Sequence, residues 1–238
     1  MTVILLRHGR STSNTAQTLA GRSDGVDLDD KGREQAAALV GRIGSLPIRA
    51  VVRSPLLRCR STVEPLASAL GLEPIVEERL SEVDYGEWTG RKIGELVSEP
   101  LWAVVQQQPS AAVFPGGEGL AHVQSRAVAA VREHDRRLAE LHEGDALWVA
   151  CSHGDVIKAV VADALGAHLD SFQRITADPA SMSVIRYTAL RPFVIHVNHT
   201  GAALTAGLLA KPPKADEKVD NKDGEVPPED AVVGGSTD

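Results

Sequence analysis

Thr2-Val3-Ile4-Leu5-Leu6-Arg7-His8-Gly9 decides how the chain is read. The run from Thr2 to Leu6 is short and apolar throughout, the pattern of a strand buried on both faces, so Arg7 and His8 arrive at its carboxyl end, where open α/β sheets place their ligands. The pairing recurs late in the chain. Ala146 to Cys151 (ALWVAC) is a second apolar run, followed by Ser152-His153-Gly154 and a helical pattern. Two histidines, each closing a strand, are in position to face one pocket.

The segments between these runs alternate in period. Asp29-Asp30 caps a helical run from Lys31 to about Gly44; Arg49 to Arg53 reads as a strand. Ser54-Pro55 opens a helix that runs to Leu70 and stops at Gly71, and Pro74 to Val76 is a short strand. A helical stretch from Ile93 to about Gln107 is interrupted near Pro100, a turn at Pro115-Gly116-Gly117-Glu118 precedes a long amphipathic helix to about His142, and a helix runs from Asp155 to Leu165. Ser183 to Thr188 and Phe193 to Val197 alternate as a closing hairpin. This order predicts an α/β fold, a three-layer α/β/α sandwich whose mostly parallel central sheet carries helices on both faces.

Composition narrows the function classes. The 238 residues are 43% hydrophobic but only 3% aromatic, enough for one large domain with an aliphatic core. Residues 1–210 form that domain. The remainder, 211–238, is rich in proline and charge and reads as a disordered acidic tail, with four lysines against eight acids. That leaves 21 basic against 24 acidic residues in the body, which argues against a nucleic-acid partner. No apolar run is long enough to span a membrane and no cleavable signal precedes the first strand, so a cytoplasmic location is expected, with oligomerisation left open. Cys59 and Cys151 are too few for a disulfide framework and read as small buried residues.

Five features accompany the Arg7-His8-Gly9 turn: Ser11 with Asn14; Ser54-Pro55-Leu56-Leu57-Arg58 with Thr62; Glu82 ahead of Tyr85-Gly86-x-Trp88-x-Gly90; Pro115-Gly116-Gly117-Glu118; and Ser152-His153-Gly154. In that order and spacing the sequence resembles the histidine phosphatase superfamily, which includes phosphoglycerate mutases and many small-molecule phosphatases, over about residues 2 to 205. The resemblance implies a phosphoglycerate mutase-like fold and a metal-independent phosphomonoesterase that needs no cofactor. His8 would be the nucleophile that forms a phosphohistidine, and Arg7 and Arg58 the clamp on a phosphate dianion, whose oxygens suit a guanidinium fork. Asn14 would add a neutral donor, His153 would stabilise charge in the transition state, and Glu82 would protonate the leaving oxygen, ahead of its rivals Asp84 and Glu87. Gly21, Arg22, Ser152 and Gly154 complete the implied substrate contacts.

Phosphoglycerate mutases of the family carry a basic, proline-rich insertion, whereas this chain has no Lys or Arg from Ile93 to Ser125. Hydrolysis of a small anionic phosphometabolite is therefore favoured over mutase-like phosphotransfer or over a weakly active module that binds phospho-ligands. Arg10, where the mutases often have Glu, and Arg22 are candidate substrate contacts; whether they converge on the pocket with Arg91 and Lys92 is left open by the sequence, and if they do, a second anionic group such as a carboxylate would be received there. Trp88 and Trp102 read equally as pocket mouth or core. His122, His134, His142 and His168 read as surface residues. His196 and His199 read as strand residues facing opposite ways, which disfavours a metal site.

Overall fold

A computed structural model describes residues 1–142 and 146–201; the tail expected at 211–238 lies outside them. The elements follow as β1 (Thr2–Arg7), α1 (Thr12–Thr15), α2 (Asp30–Ile43), β2 (Ile48–Arg53), α3 (Leu57–Leu70), β3 (Ile75–Val76), α4 (Ile93–Leu96), α5 (Pro100–Gln107), α6 (Leu120–Leu141), β4 (Leu147–Ser152), α7 (Gly154–Ala164), β5 (Met182–Tyr187) and β6 (Pro192–His199). The six strands form one sheet in the order β3-β2-β4-β1-β5-β6. The pairs β1–β4, β2–β4 and β2–β3 are parallel; β5 and β6 are added antiparallel at one edge.

Alternation along β1 explains why helices cover both faces. Val3 and Leu5 enter one core with α5, α6 and α7, whereas Ile4 and Leu6 enter a second core with α2 and α3. Because both faces must be apolar, the strand reads as an unbroken hydrophobic run. β1 lies at the centre of the sheet, and Arg7 pairs in register with Ser152. The residues that follow each strand, His8 and His153, therefore leave the sheet side by side. Among the described residues no helix is long and apolar enough to cross a membrane.

Three expectations are corrected. The third helix begins at Leu57 rather than at Ser54-Pro55. Ser54 N still donates to Cys151 O (2.9 Å), so the chain stays tied to β4 and remains extended through Leu56. His134 is buried, not on the surface, and its Nε2 lies 2.9 Å from Glu77 Oε2. His196 and His199 do not face apart: their rings lie 5.7 Å from each other, because β6 is irregular and Asn198 takes a left-handed φ of 54°. Among the described residues no three His, Cys, Asp or Glu side chains are grouped to hold a metal ion. Trp88 and Trp102 pack together in the core, 6.2 Å apart.

After His8 the chain must pass against the start of α2. Asp29 caps that helix by accepting from Gly32 N (2.8 Å), and a Cβ built on Gly32 would fall 2.0 Å from Arg10 O. Backbone meets backbone there, so no side chain can swing aside. Gly32→Ala is expected to destabilise the fold by about 1–3 kcal/mol, the usual cost of overpacking, read as a lower urea midpoint with an unchanged slope.

Candidate active site

Arg7, His8, Arg58, Glu82 and His153 all converge at the carboxyl ends of β1 and β4, and all are buried. Four of them, with Asn14, Gly21 and Tyr85, line one cleft. His153 lies just behind, its ring centroid 5.2 Å from that of His8.

The protonation of His8 follows from one contact. Its Nδ1 lies 2.7 Å from Gly9 O, and a carbonyl can only accept, so Nδ1 carries the ring proton and Nε2 keeps its lone pair. Burial, reinforced by the Arg58 and Arg7 cations, pushes the imidazole well below its ordinary pKa and keeps it neutral. Such a ring is a nucleophile at neutral pH.

The two guanidiniums are anchored on carbonyls. Arg7 Nη1 donates to Ala177 O (2.6 Å), and Arg58 Nη2 donates to Gly21 O (2.8 Å). Arg58 Nη1 is buried without a hydrogen-bond partner. A buried charged donor left unpaired is costly, and an anion in the cleft would supply the missing acceptor. Asn14 Oδ1 is already taken by Ser11 N (2.9 Å) and Ser11 Oγ (2.8 Å), so Nδ2 is what Asn14 has to offer a ligand.

Glu82 sits opposite. Burial first, and the nearby Asp155 second, raise its carboxyl to about 7, against the pull of Arg58 and Arg7. Near neutral pH it therefore exchanges its proton readily, as a group that first gives and then takes a proton must. His153 Nδ1 is 3.9 Å from Glu82 Oε2 and, like Arg58 Nη1, is buried without a hydrogen-bond partner. Its Nε2 is 2.8 Å from Ser54 Oγ, which explains the early serine of the Ser-Pro pair. Asp84 is occupied in capping a turn through Gly86 N (3.0 Å), and Glu87 is exposed.

The remaining residues singled out in the sequence lie elsewhere. Arg10 is not in the cleft lining; its Nε pairs with Asp29 at 2.6 Å. Arg22 donates to Glu82 O (2.9 Å) and pairs with Glu118 (2.8 Å), so it props the acid from outside. Arg91 pairs with Glu99 at 2.7 Å, and Lys92 is exposed. The four cations, whose convergence the sequence left open, are not in the cleft lining, and carboxylates nearby in the fold take up the three arginines. Ser152 Oγ is spent on Leu80 O (2.7 Å), and Gly154 opens α7 outside the lining.

Several supporting residues have no assigned role in the sequence reading. Thr62 Oγ1 accepts from Gly9 N (2.9 Å) and donates to Arg58 O (2.6 Å), tying the nucleophile's turn to the clamp's helix. Its spacing four residues beyond Arg58 was the available signal. Tyr85 Oη donates to Asp155 Oδ2 (2.8 Å), and Lys158 Nζ lies 3.4 Å from Asp155 Oδ1, all buried beneath Glu82. Two opposite charges one turn apart in the first half of a mostly apolar helix could have flagged that pair. Thr62→Val keeps the shape but strands the Gly9 donor; the expected result is a loss of about 1–3 kcal/mol in urea unfolding together with a reduced turnover.

The family model described as the histidine phosphatase superfamily (branch 1) matches residues 3–200. Phosphoserine phosphatase 1 of Hydrogenobacter thermophilus is 30% identical over 203 residues, covering 83% of this chain and 92% of its own. A probable phosphoglycerate mutase GpmB of Erwinia tasmaniensis is 31% identical over 184 residues, 76% of this chain and 82% of its own. Among solved structures, a mycobacterial glucosyl-3-phosphoglycerate phosphatase in complex with VO3 superposes with a TM-score of 0.76 at 25% identity, covering 83% of this chain and 98% of that one. The chain belongs to the histidine phosphatase superfamily.

Proposed function

We propose that this phosphomonoesterase hydrolyses small phosphate monoesters without a metal, through a phosphoenzyme on His8. The observation that carries the reading is the buried His8 ring, with Nδ1–H held by Gly9 O and Nε2 unprotonated, beside the cations of Arg7 and Arg58. Membership of a phosphatase superfamily and relatives with phosphatase names support the reaction class. The cation-free stretch from Ile93 to Ser125 favours hydrolysis over mutase-like transfer.

In the first step the phosphoryl group binds between Arg7 and Arg58, with Arg58 Nη1 and Asn14 Nδ2 as donors. The Nε2 lone pair of His8 forms a bond to phosphorus as the P–O bond to the alcohol breaks, and Glu82 gives its proton to the departing oxygen. With Ser54 donating to Nε2 of His153, Nδ1 of that ring bears the proton aimed at the phosphoryl oxygens. In the second step water attacks phosphorus, Glu82 takes a proton from it, and the N–P bond breaks to return neutral His8 and free phosphate.

Two measurements check these roles. Hydrolysis of para-nitrophenyl phosphate in EDTA is expected to fall by at least about a thousandfold in His8→Ala; full activity in that variant would remove His8 from the reaction. Glu82 acts first as an acid, so kcat/KM should decline as pH rises through about 7 and the carboxyl ionises. Glu82→Gln should abolish that decline. It should also cost about 10²–10⁴ with alkyl phosphates, whose alcohols need protonation, and far less with para-nitrophenyl phosphate. An equal loss on both substrates would contradict the assignment.

A further inference from the structure

The cleft beyond the phosphate clamp carries a message about the alcohol that leaves. Its wall is built from Ser13, Thr18, Leu19, Ala20, Gly21 and Ile93, none of them charged. The arginines that surround it in sequence are neutralised: Arg10 by Asp29 at 2.6 Å, Arg22 by Glu118 at 2.8 Å, and Arg91 by Glu99 at 2.7 Å. Lys92 is exposed and outside the lining. A second anion on the substrate would be stripped of water against hydroxyls and methyl groups, with no cation among the described residues of that wall to offset the loss. It would also lie beside the Glu82 carboxyl, where a like charge opposes delivery of the proton.

We infer that the alcohol part of the substrate is uncharged, a phosphate monoester of a small polyol or sugar. This rests on the phosphomonoesterase reading above. Hydroxyls of the alcohol meet Ser13 and Thr18, and its carbon face meets the half-buried Ala20 and Ile93. The selection is by exclusion: the two guanidiniums are used by the phosphate, and among the described residues the lining offers no other cation to a carboxylate.

A matched pair of ligands isolates the charge. sn-Glycerol 3-phosphate and 3-phosphoglycerate differ by a hydroxymethyl group in place of a carboxylate. With the full chain in EDTA, kcat/KM is expected to favour glycerol 3-phosphate by at least about tenfold, and calorimetric titration of the His8→Ala chain should show the same order in Kd. Equal values, or a preference for 3-phosphoglycerate, would overturn the inference. Ser13→Lys, which adds a cation to the wall, should move the ratio toward 3-phosphoglycerate; an unmoved ratio would count against it. Where neither ester turns over, the Kd order alone decides. para-Nitrophenyl phosphate hydrolysis that survived in His8→Ala would defeat the phosphoenzyme reading instead, and the Kd comparison would still stand.

Discussion

The structure depends on the burial of two guanidinium cations beside two neutral imidazoles at the carboxyl ends of β1 and β4. Burial of Arg7 and Arg58 is unfavourable in itself, since charged groups lose their water. The fold holds them by carbonyl anchors at Ala177 and Gly21 and, for Arg7, by the field of Glu82, Asp178 and Asp155. What is left is an electropositive hole in a chain whose net charge is −7. One consequence is that His8 and His153 stay unprotonated: burial strips a charged ring of its water, and the neighbouring guanidiniums add repulsion. The other is that a phosphate dianion adds acceptors and charge that the protein itself does not supply there, so ligand binding and fold stability are linked.

Much of this was legible in the sequence because it rests on local rules. A run such as Thr2–Leu6 must be buried on both faces, so its end had to be a sheet edge, and the second His-Gly turn had to sit beside the first once β1 and β4 paired. The alternation of period gave the layers, and the break at Pro100 between α4 and α5 was visible as a proline. The five-part site was legible only as a resemblance. No local pattern says that Glu82, in an irregular loop, comes within 3.9 Å of His153.

What was not legible depends on pairing across the fold. Arg10 and Asp29, or Arg22 and Glu118, are far apart in sequence, and nothing in their spacing shows that each arginine meets a carboxylate before it meets the cleft. Burial of His134 was hidden for the same reason, since its partner Glu77 lies 57 residues away. The approach of His196 to His199 required a break in strand regularity at Asn198, a residue type that tolerates left-handed backbone but does not announce it. Ser54 read as a helix cap because serine so often is one; here its hydroxyl is committed to His153.

The central claim is that the lone pair on His8 Nε2 takes the phosphoryl group. The most direct test is rapid quenching of the full chain with a ³²P-labelled monoester, followed by peptide mapping. The account predicts a burst of label on the peptide that contains His8, stable in base and lost in acid, and absent from His8→Ala. Product formed at the full rate with no labelled peptide, or a label that persists in His8→Ala, would contradict it.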